Sequence, residues 1–324
     1  MRCRFCNNKA AINLRYARMA LCVDHFREYF VKRVKDAINR YKMAKRGDKI
    51  LVAVSGGKDS NSLLHVLSNI SEDLGIEIFA LHIDLKIGEY SKESRKAVEK
   101  LVKELNVRCV IIDSEVHLGF TLYDLLRLYS WRSPCSICGV VRRYLMNLVA
   151  NAIGAKAIAT GHHLDDIAPY VVKSFLLQDW RQLYKLRPRT DPLDNLAPPR
   201  IKPLVELSEK ETTFYAKISN IPFYPEQCPH KDIGTIDEKI KTFLNMLEKD
   251  HPALKISLVK NFFKWLNKFD SLIKSEVGGK INACRECGMP ADGEICAFCK
   301  LTSKIGGVRA RLESLKEELK RSYG

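Results

Sequence analysis

The stretch Ile50 to Ser60 reads I-L-V-A-V-S-G-G-K-D-S, and the fold of the chain can be worked out from it. Its first five residues are apolar and partly β-branched, which predicts a buried strand over 50–54. Gly56 and Gly57 predict a tight turn, because glycine adopts backbone angles that other residues avoid. Leucines recur at helical spacing after the turn and predict a helix over 59–70. The stretch is therefore a strand, a glycine turn and the start of a helix.

This turn suits a phosphate group, because the first N–H groups of a helix lack partners and carry a partial positive charge. The P-loop pattern is excluded, since it requires four residues between its first glycine and the Gly-Lys pair and a Ser or Thr after the lysine. Here Asp59 follows Lys58. The loop resembles instead the S-G-G-x-D-S loop of the PP-loop ATP pyrophosphatases, which release pyrophosphate from ATP while adenylating a substrate. A turn that binds no ligand is the alternative.

Composition limits the partners and the compartment. The chain has 324 residues, which is enough for two or more structural units. It contains 54 Lys or Arg and 38 Asp or Glu, which gives a formal charge of +16. This charge favours a polyanionic partner, although basic charge also serves solubility. The eleven cysteines come without an N-terminal apolar signal segment and without an apolar run of about 18 residues. We therefore expect a cytoplasmic protein with no membrane segment, whose thiols bind metals.

Predicted strands and helices alternate from residue 48 to about 197. The strands are 50–54, 76–84, 108–113 and 156–160, and the helices are 59–70, 91–105, 120–130 and 138–153. Such alternation predicts an α/β fold with a doubly wound, mostly parallel, Rossmann-like sheet. Ligands of these sheets bind at the carboxyl ends of the strands. Polar residues gather at those ends in the loop 55–60, at His82 and Asp84, and in G-H-H-L-D-D at 161–166.

We expect one nucleotide site at these strand ends, with adenosine against 82–84. The predicted nucleotide-binding residues are Ala53, Ser55, Gly56, Gly57, Lys58, Asp59, Ser60, His82, Asp84 and Gly161. Mg²⁺ binds phosphate oxygens while one or two carboxylates of the protein hold the ion. Asp59 and either Asp165 or Asp166 are therefore candidate ligands. We expect one of the last two only to cap the following helix.

Both ends of the chain carry ligand pairs with zinc spacing. The N-terminal set is Cys3, Cys6, Cys22 and His25, and the C-terminal set is Cys284, Cys287, Cys296 and Cys299. Four such ligands fill a tetrahedral Zn²⁺ site, and the binding energy replaces the core that a short segment cannot build. We therefore predict two structural Zn²⁺ ions. Two unrelated cysteine pairs, with His25 on the surface, are the alternative at the N-terminus.

Further cysteines lie in the middle of the chain. Cys135-x-x-Cys138 precedes Arg142 and Arg143, and Cys228 follows about ninety residues later. A thioredoxin-type pair should follow a strand directly, whereas this pair opens a helix. The combination of C-x-x-C-G-x-x-R-R, a distant cysteine, S-G-G-K-D-S, G-H-H-L-D-D and two cysteine-rich ends resembles the TtuA/TtcA family of tRNA 2-thiolation enzymes, closest to its TtuA branch. The resemblance covers nearly the whole chain.

The resemblance implies that Cys135, Cys138 and Cys228 bind a [4Fe-4S] cluster. Such a cluster normally takes four thiolates, so three would leave one iron free to hold an exogenous sulfur atom. Cys109 lies inside an apolar strand and is predicted to be a core residue. A persulfide-carrying cysteine with a resolving partner, or a third zinc site, are the alternatives.

The resemblance further implies ATP-dependent thiolation of a tRNA uridine, at position 54 in the TtuA branch. The uridine O2 would attack the α-phosphorus of ATP, and sulfur would then replace the activated oxygen. The implied catalytic residues are Lys58, Asp59, Arg142, Asp165 and Asp166. Family members often have lysine where Arg142 stands, and arginine keeps the charge but cannot lose a proton. A thiocarboxylated ubiquitin-like carrier protein or free sulfide would supply the sulfur, and we expect a homodimer.

These expectations divide the chain into five units. They are an N-terminal zinc finger (1–26), a linking helix (27–47), a PP-loop catalytic domain with the iron–sulfur site (48–230), a helical tRNA-contacting segment (231–279), and a C-terminal zinc finger with a terminal helix (280–324). Residues 307–322 are predicted to form a charged helix with little apolar face, mobile or packed on a second subunit.

Three other functions stay open at this point. One is a wobble-uridine 34 thiolase, and another is a PP-loop ligase or amidotransferase resembling GMP synthetase, with purely structural cysteines. The third is a zinc-dependent RNA-binding protein whose nucleotide loop is vestigial. A colourless anaerobic preparation with zinc but no iron would favour the ligase. Release of pyrophosphate that depends on tRNA and is lost in Asp59→Ala would eliminate the vestigial loop.

Overall fold

The structure is a computed structural model and describes residues 1–271, 273 and 281–323. Its strands are β1 (Ile12–Leu14), β2 (Met19–Leu21), β3 (Lys49–Ala53), β4 (Glu77–Asp84), β5 (Arg108–Asp113), β6 (Ala157–Ala159), β7 (Arg200–Ile201), β8 (Asn282–Ala283) and β9 (Pro290–Ala291). Its helices are α1 (Val23–Arg40), α2 (Lys58–Leu74), α3 (Gly88–Glu104), α4 (Ser114–Leu118), α5 (Leu122–Leu128), α6 (Pro134–Ala152), α7 (Leu164–Leu176), α8 (Trp180–Lys185), α9 (Glu209–Ile218), α10 (Ile236–Asp250), α11 (Leu254–Lys268), α12 (Ala297–Thr302) and α13 (Val308–Tyr323). Within these described ranges, no helix is long and apolar enough to cross a membrane.

A five-stranded sheet forms the centre of the molecule. Its strands pair in the order β5-β4-β3-β6-β7, and all the pairs are parallel. The predicted doubly wound α/β fold is confirmed. The chain leaves β3 in one direction to β4 and later returns on its other side as β6, so the loops after β3 and β6 open into one crevice. This crevice is where the polar clusters meet.

Helices cover both faces of the sheet, because side chains alternate between the faces along each strand. Ile50 and Val52 pack in the core that contains α1, α2, α7 and α9. Leu51 packs in the opposite core, which contains α5, α6 and α13. A strand buried on both faces explains the uninterrupted apolar run before the glycine turn.

The N-terminal segment packs on the main domain. Residues 12–21 form a hairpin, with β1 and β2 antiparallel. The hairpin leads into α1, which buries Phe26, Phe30 and Val34. The ring of Phe30 stacks on that of Tyr215 in α9, with 4.0 Å between centroids and 7° between planes. The first helix is therefore held against the catalytic half of the chain.

The terminal helix forms as predicted, but the expectation that it has little apolar face was wrong. In α13, Val308, Leu312, Leu315 and Leu319 are buried, and the helix packs on α4 and α6 of the same chain. These four residues recur at three- and four-residue spacing, so they form a narrow apolar stripe among many charges. The predicted boundary at 279/280 lies outside the described residues.

Candidate functional site

The glycine loop is a closed turn between β3 and α2. Gly56 has φ +89°, and a Cβ atom there would lie 2.5 Å from the carbonyl oxygen of Ser94, so only glycine fits. Ser60 Oγ accepts a hydrogen bond from Ser55 N at 3.0 Å and donates to Gly57 O at 3.2 Å. Helix α2 begins directly after Gly57. The loop therefore presents the first-turn amides of a long helix to the crevice.

The end of β6 lies against this loop. A Cβ atom at Gly161 would lie 2.9 Å from the backbone nitrogen of Ser60. This close approach brings the cluster 161–166 to the start of α2, in line with the expectation that polar residues at the carboxyl ends of parallel strands share one site. Ala53, the last residue of β3, is half-buried beside the loop.

Charged side chains surround the start of α2. Lys58 Nζ lies 2.8 Å from Asp59 Oδ2 and 3.1 Å from Glu209 Oε1. His163 Nε2 lies 3.7 Å from Asp59 Oδ2. Burial alone would raise the pKa of Asp59, but hydrogen bonding to His163 and the charges of His163 and Lys58 lower it overall. Asp59 is therefore ionised, as a Mg²⁺ ligand must be.

Asp165 and Asp166 have different surroundings. Asp165 is buried, forms an ion pair with Lys255 through Oδ1, and accepts a hydrogen bond from Glu209 N at 2.6 Å through Oδ2. Asp166 Oδ2 accepts a hydrogen bond from His163 N at 3.0 Å, which closes the first turn of α7. Asp166 is thus the capping member of the pair. Asp165 has one protein partner on each of its two carboxylate oxygens.

The end of β4 offers an unpaired nitrogen. His82 is buried, and its Nδ1 lies 2.9 Å from Val54 O. Its Nε2 is buried without a partner among the described residues. Burial lowers the pKa of His82, so the ring is neutral. Asp84 Oδ1 instead accepts from Lys86 N at 2.8 Å and holds the turn after the strand.

The three central cysteines come together. Cys135 and Cys138 lie in the first turns of α6, which is capped by Ser133. Cys135 Sγ donates to the carbonyl oxygen of His230 at 3.4 Å, two residues beyond Cys228. Burial raises the pKa of Cys228, and the neighbouring Cys138 and Cys135 raise it further. One site therefore contains all three thiols.

A cation and two tyrosines lie near the thiols and the loop. Arg142 Nε donates to Cys138 Sγ at 3.1 Å. Tyr224 N donates to Gly56 O at 2.9 Å, and its ring lies 6.0 Å from that of Tyr90. Burial raises the pKa of Tyr90, while the nearby Arg142 lowers it and Cys228 raises it. Tyr224, four residues before Cys228, therefore ties that segment to the loop.

The two terminal quartets are compact. Cys3, Cys6, Cys22 and His25 have their ligand atoms within 4.8 Å of one another, as have Cys284, Cys287, Cys296 and Cys299. Cys135, Cys138 and Cys228 do not form so tight a group among the residues described. Cys109 is half-buried on β5, and burial raises its pKa to about 12, which fits the predicted core role.

Some neighbours of the site were not predicted. Glu209 and Lys241 form an ion pair beside Lys58, with 2.7 Å between Lys241 Nζ and Glu209 Oε2. Lys255 reaches Asp165 from 90 positions further along the chain. Nothing in the local sequence points to these contacts. The one available signal was S-E-K-E at 208–211, a capping box that marks the start of α9 beside the loop.

Comparisons with known proteins agree with this arrangement. The family described as PP-loop domain matches residues 27–228, and the family described as 2-thiouridine synthetase TtuA, N-terminal LIM domain, matches residues 2–27. The tRNA-5-methyluridine(54) 2-sulfurtransferase of Pyrococcus horikoshii is 37% identical, over 98% of this chain and 99% of its own. The protein of that name from Thermus thermophilus is 34% identical, over 98% and 96%.

A solved structure has the same fold over most of its length. The U34-tRNA thiolase NcsA from Methanococcus maripaludis, with its [4Fe-4S] cluster, matches with a TM-score of 0.78 and 25% identity, over 94% of this chain and 97% of that one. The resemblance inferred from the motifs is confirmed. The chain belongs to the TtuA/TtcA family of PP-loop tRNA 2-thiolation enzymes.

Proposed function

We propose that the protein catalyses ATP-dependent 2-thiolation of uridine 54 in tRNA. The observation that carries the proposal is the placement of the PP-loop beside the segment with the third thiol: Tyr224 N bonds Gly56 O four residues before Cys228, and Cys135 Sγ bonds His230 O two residues after it. Relatives named for this reaction match the chain over nearly their whole length. The same end of the sheet thus has one part suited to activating an oxygen and another suited to delivering sulfur.

The loop carries the activating half of the reaction. The uridine O2 attacks the α-phosphorus of ATP, and the bond to pyrophosphate breaks. Amides of residues 55–60 and the ammonium group of Lys58 stabilise the charge on the departing pyrophosphate. The ionised Asp59 is the carboxylate best placed to hold Mg²⁺, which would offset the same charge. Asp165 or Asp166 would supply a second carboxylate to the same ion.

His82 suits the nucleoside end of ATP. Among the described residues its buried Nε2 has no partner, and such a group costs roughly 1–3 kcal/mol until it is satisfied. In the neutral ring Nδ1–H donates to the carbonyl oxygen of Val54, which leaves Nε2 as an acceptor for a hydrogen-bond donor of the base or ribose. Asp84 Oδ1 holds the turn after the strand, and its other oxygen would face the ribose.

The three central thiols fit an iron–sulfur cluster with one open iron. Their donor set is three sulfurs on two segments, and they are spaced more widely than the ligands of one ion. When bound, the cluster would hold the exogenous sulfide that replaces the activated oxygen as AMP leaves. Arg142, hydrogen-bonded to Cys138, offsets thiolate charge; because arginine does not lose a proton, its role here is electrostatic.

The remaining parts of the proposal concern metals and partners. Each terminal quartet would hold a Zn²⁺ ion, and a site with four protein ligands is structural. The sulfur would come from a thiocarboxylated ubiquitin-like carrier protein or from free sulfide, because the central thiols are assigned to the cluster. The enzyme would act as a homodimer in the cytoplasm on a uridine that leaves its stack.

A comparison of Asp59→Asn with the wild type tests the proposal. We expect wild-type enzyme, ATP, sulfide and tRNA to give pyrophosphate and 2-thiouridine, and the variant to give neither above background. Transcripts changed to cytidine at position 54 or at position 34 locate the target by mass spectrometry of nucleosides. Thiolation that survives the change at 54 and disappears with the change at 34 would contradict the assignment to uridine 54. Full activity of Asp59→Asn would contradict the role of the loop.

A further inference from the structure

An exposed tryptophan lies beside the thiol site. Trp131 is 74% exposed and precedes Cys135 by four residues, so their Cα atoms are at most about 14 Å apart. Single exposed apolar side chains are common on protein surfaces and by themselves need no explanation. The contacts and the charges around Trp131 set it apart from such a side chain.

The indole ring rests on the unit that contains the C-terminal quartet. It contacts the ring of Tyr129 edge-on, with 5.4 Å between centroids and 70° between planes. Tyr129 Oη donates to the carbonyl oxygen of Lys300 at 3.1 Å, and Lys300 directly follows Cys299. Arg132 N donates to Tyr129 O at 3.0 Å and closes the turn that carries the tryptophan. A ring supported in this way loses little entropy when a ligand stacks on it.

The two segments that meet at this ring pair are basic. Residues 125–163 contain five Lys or Arg and no Asp or Glu, and residues 295–312 contain four Lys or Arg and no Asp or Glu. Lys304 Nζ lies 5.6 Å from the centroid of the Tyr129 ring. An exposed aromatic face among cations suits a nucleotide, because the base stacks on the ring while the cations attract the phosphates.

A second aromatic pair borders the same thiols. The exposed ring of Tyr123 lies 5.5 Å from that of His230, with 67° between planes. Cys135 Sγ donates to the carbonyl oxygen of His230 at 3.4 Å. Aromatic side chains therefore approach Cys135 both from the preceding turn and from the segment after Cys228.

We propose that Trp131 stacks on a tRNA base next to the reacting uridine and so holds the strand open at the thiol site. The inference rests on the proposed function and adds a residue that positions the substrate. A uridine that leaves its stack exposes the face of a neighbouring base, and an indole offers a large rigid ring to cover that face. A second copy of this chain is a poorer partner, because a two-fold interface would bring the same cations together.

The test compares three variants, Trp131→Leu, Trp131→Phe and Trp180→Phe. Leucine keeps an apolar side chain without an aromatic face, whereas phenylalanine keeps a ring that stacks but loses the indole fluorescence. Trp180 is the matched control, since it is also exposed and contacts the ring of Phe175 edge-on, on the side of the molecule that carries α11. Zinc content and Tm show that the variants fold, and Trp131→Phe serves if Trp131→Leu does not.

The measurements are tryptophan fluorescence and tRNA affinity from low to high salt. Because stacking on a base quenches indole emission, tRNA should quench the wild type and Trp180→Phe, and most of this quenching should be absent in Trp131→Phe. Trp131→Leu should raise the Kd for tRNA about tenfold at every salt concentration, since stacking releases no counterions. Trp131→Phe should keep a Kd within about threefold of the wild type.

Three results would overturn the inference. The first is wild-type quenching in Trp131→Phe or a wild-type Kd in Trp131→Leu, and the second is an equal loss of affinity in Trp180→Phe. The third is weaker self-association of Trp131→Leu in sedimentation with an unchanged tRNA Kd, which would make the ring a contact between subunits. These measurements need no turnover, so a wild type that binds tRNA but makes no 2-thiouridine contradicts the proposed function instead.

Discussion

The terminal quartets and the central cysteines use the same side chain in different surroundings. In each quartet four ligand atoms lie within 4.8 Å of one another, and half of the ligands are buried. In the centre, Cys135 is exposed, Cys138 and Cys228 are half-buried, and Arg142 bonds one thiol. Four close ligands fill every coordination position of a tetrahedral metal ion, so no position is open for a substrate. Three thiols beside a crevice leave a position open, which suits chemistry rather than support.

The largest effect that separates the two kinds of site is on activity. Cys135→Ser and Cys138→Ser should each lower thiolation at least about 100-fold, since losing even a supporting partner of a metal ligand costs 10- to 100-fold. Cys109→Ser is the control and should stay close to wild type, because its thiol packs against the core. Nucleoside mass spectrometry measures the product. Equal loss in the Cys109 variant would contradict the three-thiol site.

Changing a quartet should affect stability instead. Cys284→Ser should remove one Zn²⁺ ion and several kcal/mol of unfolding free energy, because a structural zinc contributes about 10–16 kcal/mol to folding a small unit. The buried Phe298, stacked 3.8 Å from Tyr144, connects that unit to α6. Calorimetry and metal analysis check the result. Unchanged zinc content with unchanged Tm would show that the quartet binds no metal.

The loop gives a smaller effect that can be measured against a matched glycine. Gly56→Ala must place a Cβ atom 2.5 Å from Ser94 O at φ +89°, whereas Gly154→Ala, at φ +70°, meets nothing within 4 Å. In both variants alanine must adopt left-handed backbone angles, which costs about 1–2 kcal/mol of stability. Only the first also displaces α3. Denaturant unfolding should therefore show a larger loss for Gly56→Ala, accompanied by weaker ATP binding. Equal losses would mean that the close contact with Ser94 is unimportant.

The sequence predicted those parts of the molecule that depend on short stretches. The run 50–60 fixes a strand, a turn and a helix, and the alternation after it fixes a parallel sheet whose loops meet. The loop after β6 then lies beside the loop after β3, which places Gly161 against Ser60. Ligand spacing predicted the members of both quartets for the same reason.

Contacts between distant segments could not be predicted in this way. The Asp165–Lys255 ion pair joins α7 to α11. No local sequence pattern shows that these two residues are partners. Strand β7 has two residues among prolines and forms because its neighbour β6 offers an edge. The apolar residues of α13 recur at helical spacing in the sequence, but the many charged residues between them led to the prediction of little apolar face. Tertiary packing decides each of these cases.

The central claim is that the loop and the three thiols perform separable halves of one reaction. Cys228→Ser, prepared without oxygen and supplied with ATP, tRNA and sulfide, tests it most directly. We predict that tRNA-dependent release of pyrophosphate persists in this variant while 2-thiouridine is absent. Formation of 2-thiouridine by the variant, or loss of pyrophosphate release in protein with wild-type zinc content and Tm, would contradict the account.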